Sequence, residues 1–351
     1  MSNIYSDVLN RLSPYTPGEQ LNDKRYIKLN TNENPYPPSP KVIEAIKKGA
    51  NSGLRLYPDP ESIDLIETLA DFHGVGKENI FVSNGSDELL AFAFNAFYAN
   101  KDVAFPEITY SFYPVYCSLY NCKARTVPMK DGYMIDKKAL SEMDCPIIVA
   151  NPNAPTGELL ESEYILSLLK RNRDNLVLVD EAYIDFAKQQ SMVPYVLDNE
   201  NLLVVKTFSK SYCLAGMRIG YAIGSKLLID ALKTIKNCFN SYPLDRLAQI
   251  SAKEAVTDQT YYNNINQMVI DTRERTKTAL EQMGCVVLPS KSNFIFVSFP
   301  GFDSYTIYTK FRDKGILIRQ FSYISDYVRI SIGTDSDMDI LINLAKEIMK
   351  K

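Results

Sequence analysis

At residues 207–220 the chain reads TFSKSYCLAGMRIG, and the apolar run LLVV at residues 202–205 comes just before it. The apolar run has the length and β-branching of a short buried strand, so Lys210 is predicted to lie just past the strand's end. A lysine alone in a loop is usually a solvated charge. Here Ser209 precedes the lysine and Arg218 follows in the same loop. A hydroxyl and a guanidinium together suit a phosphate group.

The chemistry of this loop predicts a cofactor site. A lysine in a cationic, partly desolvated setting keeps its amine available at neutral pH and can form a Schiff base with an aldehyde. Pyridoxal phosphate needs both features, an amine that captures its aldehyde and a clamp for its phosphate. Lys210, with Ser209 and Arg218, is therefore the candidate site for this cofactor.

Strands alternate with helices on both sides of the lysine loop. Short apolar runs at residues 80–82, 102–106, 146–150 and 176–180 predict strands, and segments of helical periodicity separate several of them. This alternation is typical of an α/β fold. Open α/β sheets hold ligands beyond the carboxyl ends of their strands, and Asp180 ends one such run. Taken alone, an aspartate at that point is more often a helix cap.

A glycine turn offers a second contact for a phosphate. The sequence NGSDE at residues 84–88 follows a predicted strand and opens an apolar helix. The N–H groups and the dipole at a helix N-terminus favour an anion. An ordinary Ser or Asp helix cap is the alternative. With a phosphate cofactor already predicted, Gly85, Ser86 and Asp87 become candidate ligands.

Composition narrows the function classes. A length of 351 residues favours about two domains, and a net charge of −3 gives no reason to expect a nucleic-acid or membrane partner. No apolar run approaches a membrane span, and the N-terminus lacks the features of a signal peptide. Six cysteines without a CxxC pair indicate reduced thiols and a cytoplasmic location. Because His73 is the only histidine, no His-rich metal site is expected. His73 precedes Gly74 at a predicted helix end.

Seven short elements together resemble the fold-type-I aminotransferases of class I and II, and most closely their histidinol-phosphate branch. They occur in that family's order between residues 29 and 333. The elements are NENP at 32–35, YPDP at 57–60, GSDE at 85–88, NPNAPTG at 151–157, DEAY at 180–183, Ser209-Lys210 with Arg218, and Arg329.

The resemblance implies an α/β fold with a large domain, whose mostly parallel sheet is flanked by helices, and a smaller α+β domain. It divides the chain into an N-terminal arm at residues 1–40 that packs with the small domain, a large pyridoxal-phosphate-binding domain at 41–243 and a small C-terminal domain at 244–351. It also implies a homodimer with shared active sites.

The resemblance assigns a role to each matched residue. Lys210 would carry the cofactor covalently, Asp180 would pair with its pyridinium nitrogen and Tyr183 would form a hydrogen bond with its 3′-oxygen. In relatives with two asparagines in this loop, the residue directly before Pro-Thr-Gly also forms a hydrogen bond with the 3′-oxygen. Because Ala154 occupies that position here, the role is assigned to Asn153. The other implied cofactor contacts are Gly85, Ser86, Asp87, the ring-stacking Tyr110, Ser209, Arg218 and, from the other subunit, Tyr57.

The implied activity is transamination of histidinol phosphate with 2-oxoglutarate in histidine biosynthesis. The implied substrate contacts are Tyr15, Asn32, Arg319 and Arg329, with the two arginines on the anionic groups. Two other tasks on the same scaffold stay open, namely aromatic amino-acid transamination and decarboxylation of a phosphorylated amino acid. A dehydrogenase is not favoured, because no GxGxxG motif follows a strand.

Overall fold

The computed structural model describes residues 4, 6–21, 26–188 and 190–350. The strands are β1 (Ile27–Lys28), β2 (Ile80–Ser83), β3 (Asp102–Pro106), β4 (Lys123–Val127), β5 (Met129–Lys130), β6 (Met134–Ile135), β7 (Ile147–Ala150), β8 (Val177–Asp180), β9 (Leu202–Thr207), β10 (Gly220–Gly224), β11 (Val286–Val287), β12 (Phe294–Ser298), β13 (Ile316–Leu317) and β14 (Val328–Ser331). The helices are α1 (Pro40–Gly49), α2 (Ile63–His73), α3 (Gly85–Ala93), α4 (Phe112–Leu119), α5 (Lys137–Ser141), α6 (Ser162–Arg171), α7 (Lys226–Phe239), α8 (Arg246–Thr257), α9 (Gln259–Glu281), α10 (Ser304–Asp313) and α11 (Asp335–Met349).

A seven-stranded sheet forms the centre of the molecule, in the order β2-β10-β9-β8-β7-β3-β4. Within this sheet, neighbouring strands among β9, β8, β7, β3 and β4 pair in parallel. Strand β10 runs antiparallel to both of its neighbours, β2 and β9. Every residue of β7, β8, β9 and β10 is buried. Parallel strands covered on both faces read as continuous apolar runs, which is why the sequence predicted them. The predicted mostly parallel α/β sheet is confirmed.

The register of this sheet gathers several loops at one edge. Asp180 pairs with Val205, so the loops that follow β8 and β9 leave the sheet side by side. Gly220 of the antiparallel β10 pairs with Thr207 on one side and with Ser83 on the other. The glycine turn after β2 therefore lies at the same edge as the lysine loop.

Apolar side chains cover both faces of the central sheet. In β7, Ile147 and Val149 belong to one core cluster, and Ile148 belongs to the cluster on the opposite face. This alternation follows from the two-residue period of a strand. A further cluster joins α9, α10 and α11 to the smaller sheet β11-β12-β14.

The N-terminal segment is attached to the C-terminal part of the chain. Strand β1 pairs in parallel with β13, and the Ile27 N–H donates to the Gly315 carbonyl at 2.8 Å. Of the predicted arm at residues 1–40, residues 1–3, 5 and 22–25 lie outside the described residues. Among the helices that the structure does describe, none has the length and apolar character needed to span a membrane.

Candidate active site

A cavity of about 380 Å³ opens at the carboxyl edge of the central sheet, between the N-terminal segment and the two arginines near β14. Twelve of the fifteen residues proposed from the sequence line it: Tyr15, Asn32, Ser86, Asp87, Tyr110, Asp180, Tyr183, Ser209, Lys210, Arg218, Arg319 and Arg329. The structure therefore brings residues from distant parts of the chain to one site. Gly85, Asn153 and Tyr57 are not in the lining.

Lys210 presents its amine to this cavity. Its Nζ donates to the Thr31 carbonyl at 3.2 Å and lies 5.8 Å from the ring centroid of Tyr183. The backbone is fixed as well, because the Asn34 amide donates to the Lys210 carbonyl at 3.1 Å. No carboxylate in the described part of the chain forms a salt bridge with Lys210. The amine thus faces the cavity without a carboxylate in salt-bridge contact, although its charge helps to lower the pKa of Glu33 on the same cavity wall, after burial, which raises that pKa, and the bonds from Lys28 and Thr31.

Asp180 lies at the end of β8 and is 5% exposed. Its Oδ1 accepts from the Ala182 N–H at 3.1 Å and its Oδ2 accepts from the Tyr113 hydroxyl at 3.0 Å. Burial outweighs these two donors and raises the pKa of Asp180 to about 6. A nearby positive charge from a ligand would favour the carboxylate form.

The glycine turn and Arg218 form a tight cradle. Gly85 has φ +80°, and a Cβ added there would lie 2.7 Å from Nη2 of Arg218. A Cβ on Gly220 would lie 2.4 Å from the backbone nitrogen of Ser86. Only glycine allows both approaches. The N-terminus of α3 and a guanidinium therefore converge, which is the arrangement that binds a phosphate.

Asp87 connects this cradle to an aromatic ring. Its Oδ2 accepts from Arg218 Nη2 at 3.1 Å, and its Oδ1 accepts from the Tyr110 hydroxyl at 2.7 Å. The Tyr116 hydroxyl donates to the Asp87 carbonyl at 2.8 Å. Asp87 thereby orients the arginine and the tyrosine at once. It is half-buried and lines the cavity itself.

Asn153 does not present its side chain to the cavity, in contrast to the role assigned from the sequence. It is fully buried, and its Oδ1 accepts from the Thr109 hydroxyl at 2.7 Å. Its Nδ2 donates to the Ile108 carbonyl and to the Thr156 hydroxyl, each at 3.0 Å. These bonds hold the loop together, and Ala154 lines the cavity instead. This loop therefore brings an apolar side chain to the site.

Tyr57 lies outside the cavity of its own chain. It is 79% exposed, and its ring stacks on that of Tyr242 with centroids 4.7 Å apart and an interplanar angle of 24°. An exposed, oriented aromatic of this kind is free to contact another molecule.

Arg319 and Arg329 lie side by side at the other end of the cavity. Their backbones form an antiparallel bridge with two N–H to carbonyl bonds of 2.9 Å. Nη2 of Arg319 donates to the Thr16 carbonyl at 2.9 Å, and Nη2 of Arg329 donates to the Asn30 carbonyl at 3.0 Å. Burial, together with the charge of Arg319, lowers the pKa of Arg329. Within the described residues neither guanidinium has a carboxylate partner.

Several residues of the cavity were missed from the sequence. Thr31 and Glu33 line it, although Glu33 lies inside the NENP motif and Thr31 directly precedes that motif. Tyr113 reaches Asp180 from α4. The spacing of Tyr110 and Tyr113, three residues apart at a helix start, could have suggested that they act on one site.

The model of the family "Aminotransferase class I and II" matches residues 24–344. The chain belongs to the class I and II aminotransferases. It is therefore an enzyme, and the prediction of an aminotransferase is confirmed.

Relatives of this aminotransferase extend over its whole length. The histidinol-phosphate aminotransferase of Brachyspira hyodysenteriae is 48% identical, with 100% of both chains covered. That of Clostridium acetobutylicum is 46% identical, with 99% of both chains covered. The structure of histidinol-phosphate aminotransferase from Sinorhizobium meliloti in complex with pyridoxal-5′-phosphate is 26% identical, with a TM-score of 0.89. It covers 100% of this chain and 98% of that one. The predicted resemblance is thereby confirmed.

Proposed function

We propose that this aminotransferase uses pyridoxal phosphate to transfer the amino group between histidinol phosphate and 2-oxoglutarate, with imidazole acetol phosphate and glutamate reacting in the biosynthetic direction of histidine synthesis. The observation that carries the proposal is the pair Arg319 and Arg329, two neighbouring guanidiniums without a carboxylate partner in the described residues. Uncompensated cations in a cavity favour an anionic ligand. The names of full-length relatives at 46–48% identity support the same substrate.

The residues of the cavity fit the cofactor. The phosphate would lie at the cradle of Gly85, Ser86, Ser209 and Arg218, where glycine leaves room for the close approach of backbone and guanidinium. The amine of Lys210 would hold the aldehyde carbon. The bound cofactor supplies an electron sink for the charge that develops at the substrate carbon.

Three side chains would act on the reaction. Asp180 would hold a proton at the pyridine nitrogen, because a carboxylate at that buried point favours a cation beside it. Tyr183 would donate its hydroxyl hydrogen to the 3′-oxygen. Once displaced by the amino donor, Nζ of Lys210 would carry a proton between the substrate carbon and the cofactor carbon.

The two substrates explain why two arginines are useful. Histidinol phosphate carries a dianionic phosphate and no carboxylate, whereas glutamate carries two carboxylates. Arg319 and Arg329 together offer fork-shaped donors that both kinds of anion accept. An aromatic transaminase needs an anion site only for the α-carboxylate, so its second arginine would be dispensable.

The same proposal includes a homodimer in which Tyr57 serves the neighbouring subunit's phosphate site, since its ring is exposed and lies outside its own cavity. It also includes the three-part organisation at 1–40, 41–243 and 244–351. The separate sheets support a large and a small unit, but α8 and the first turns of α9 pack in the core of the central sheet, which moves the second boundary into α9. Six free thiols support the proposed cytoplasmic location.

The test compares kcat/KM for histidinol phosphate and for phenylalanine, each with 2-oxoglutarate, in wild type, Arg319→Ala and Arg319→Lys. We expect wild type to prefer histidinol phosphate and Arg319→Ala to lose about 10²-fold on it, as for two charge-assisted hydrogen bonds. Activity on phenylalanine should change little, and lysine should restore only part of the loss because its charge lacks the fork.

Arg125→Ala is the matched control, because that arginine is exposed on β4, lies outside the cavity lining and donates to Asp102 at 3.0 Å. A wild type that prefers phenylalanine, or equal losses on both substrates, would support the aromatic transaminase instead. In a separate assay with a phosphorylated α-amino acid as substrate, carbon dioxide release without consumption of 2-oxoglutarate would indicate the decarboxylase.

A further inference from the structure

A buried asparagine of the N-terminal segment occupies an uncommon backbone conformation. Asn32 is 1% exposed and has φ +57°, in the left-handed region that residues other than glycine seldom adopt. Asparagine tolerates this region better than most residues, but the conformation persists only where its surroundings fix it. The Asn293 amide donates to the Asn32 carbonyl at 3.0 Å and provides part of that constraint.

The hydroxyl of Ser331 bonds both the backbone and the side chain of Asn32. Its Oγ accepts from the Asn32 backbone N–H at 2.9 Å and donates to the Asn32 Oδ1 at 2.8 Å. Because the hydroxyl hydrogen is used on Oδ1, the amide nitrogen of Asn32 faces the other way. There Nδ2 donates to the Tyr183 hydroxyl at 2.9 Å. Ser331, Asn32 and Tyr183 thus form one continuous hydrogen-bonded chain.

These hydrogen bonds determine whether the Tyr183 hydroxyl acts as a donor or an acceptor towards the cavity. Its oxygen already accepts from Asn32, so its single hydrogen remains available to the cavity that Tyr183 lines. An accepted hydrogen bond also polarises the hydroxyl and makes it a stronger donor. The loop at residues 151–157 brings only Ala154 to the cavity. Tyr183 is therefore left as the hydroxyl that this arrangement prepares as a donor.

The hydrogen-bonded series Ser331–Asn32–Tyr183 begins on β14, the strand that also carries the proposed substrate-binding residue Arg329. Arg329 and Ser331 are two residues apart in β14, so their side chains project from the same face of the sheet. Arg329 bonds the Asn30 carbonyl while Ser331 bonds Asn32, and the Ser331 N–H donates to the Leu29 carbonyl at 3.0 Å. An anion that binds Arg329 and the donor that serves the cofactor are therefore linked through one strand.

We propose that Ser331 and Asn32 are positioning residues that orient Tyr183 as the hydrogen-bond donor to the cofactor's 3′-oxygen and couple it to the anion-binding strand β14. The inference rests on the cofactor orientation given under the proposed function. The charged groups that face Tyr183 are Lys210, 5.8 Å from its ring, and Arg329. Neither is altered in the test below.

The test is a spectrophotometric pH titration of the cofactor-loaded enzyme, which reports the proton shared by the Schiff-base nitrogen and the 3′-oxygen without any turnover. A donor to the 3′-oxygen stabilises its anionic form, so losing the donor raises the midpoint of the titration. Tyr183→Phe is the reference variant. Asn32→Gly removes the side-chain amide while glycine keeps the left-handed backbone without strain, and Ser331→Ala removes the first hydroxyl of the chain.

We expect Asn32→Gly to raise the midpoint by about 0.5–1 pH unit, the effect of one ordinary hydrogen bond. Ser331→Ala should raise it by less, because it acts one bond further away. In a Tyr183→Phe background neither change should have any further effect. Ser298→Ala, at the partly exposed end of the neighbouring strand β12 and outside the cavity lining, should leave the midpoint unchanged.

The outcomes separate the two levels of the proposal. If Tyr183→Phe itself leaves the midpoint unchanged, the proposed cofactor orientation is wrong. If Tyr183→Phe raises the midpoint but Asn32→Gly does not, the positioning role is wrong and Asn32 only ties the N-terminal segment to β14. Additive shifts in the double variants would also overturn it, because the effect would then bypass Tyr183.

Discussion

The hydroxyl of Tyr113 donates a 3.0 Å hydrogen bond to Oδ2 of Asp180, and both side chains are buried. Tyr113 also contacts Tyr110 edge-on, with ring centroids 5.7 Å apart and an interplanar angle of 86°. One residue of α4 therefore supports two proposed contacts of the cofactor ring, the carboxylate and the stacking aromatic. Burial, followed by the charge of Asp180, raises the pKa of Tyr113 well above its ordinary value, so it acts as a donor throughout the working pH range.

The first prediction concerns this bond. Tyr113→Phe keeps the ring and removes the donor, which leaves the buried carboxylate of Asp180 less stabilised. We expect kcat/KM to fall about tenfold, as for one hydrogen bond to a charged group. Tyr120→Phe, at the end of the same helix, is the control and should change little. Equal values for wild type and Tyr113→Phe would mean that the Ala182 N–H alone is sufficient to orient Asp180.

The second prediction identifies the lysine. Borohydride reduction of the loaded enzyme should leave a pyridoxyl group on the peptide that contains Lys210 and on no other peptide. Lys210→Ala should remain folded, because this lysine forms no salt bridge in the described residues whose loss would leave a buried charge. Lys226→Ala, which removes an exposed lysine paired with Asp230, is the control for labelling. A pyridoxyl group on another lysine would refute the assignment.

The parts that were predictable from sequence are those determined by local chemistry. Strands β7, β8 and β9 are buried on both faces and so appear as apolar runs, and the polar residues at their carboxyl ends mark the site. By contrast β4 is an edge strand with four of its five residues exposed, so its sequence has no apolar run from which a strand could be predicted. Helix α4 contains several aromatic residues and a proline, and it was not predicted either.

Side-chain direction within the site was the harder problem. The order of residues in the loop 151–157 does not say whether Asn153 or Ala154 points into the cavity, because that depends on the partners Thr109 and Ile108 from another loop. The hydrogen-bonded series joins Ser331 to Asn32, 299 residues away, and Asn32 to Tyr183, 151 residues away, so no local pattern reveals it. Long-range contacts of this kind follow from the fold alone.

The third prediction tests the shared site. If Tyr57 serves the neighbouring subunit, mixing Lys210→Ala with Tyr57→Ala chains rebuilds one intact site in each hybrid dimer. Random exchange would restore about a quarter of wild-type sites. Mixing Lys210→Ala with Asp180→Ala is the matched control, because both residues belong to the same chain's cavity and no intact site can form. Hybrids that form without restoring activity in the first mixture would exclude the shared site.

The fourth prediction concerns acid stability and the single histidine. His73 ends α2 just before Gly74, which has the left-handed conformation of a helix C-terminus, so the predicted helix end is confirmed. The imidazole does not simply face solvent, because its Nε2 lies 3.1 Å from the Tyr221 hydroxyl. Burial, and next the nearby charge of Lys206, lower the pKa of His73 to about 4, while Asp185 opposes this effect.

Because the pKa of His73 is lower in the folded state than in the unfolded state, the free energy of unfolding decreases as the pH is lowered. Above pH ~6.5 the ring is neutral in both states, whereas between pH ~6.5 and 4 the unfolded chain takes up a proton that the folded chain does not. This residue alone should therefore lower the free energy of unfolding by about 2–3 kcal/mol between pH 7 and 4.5. In His73→Gln the decrease should be smaller by that amount, since glutamine cannot be protonated but can still bond Tyr221. Urea unfolding at both pH values, at one fixed protein concentration because of the proposed dimer, measures the difference. If both proteins lost the same free energy on acidification, His73 would be protonated in the folded state as readily as in the unfolded state, and neither the charge of Lys206 nor the contact with Tyr221 would contribute to acid unfolding.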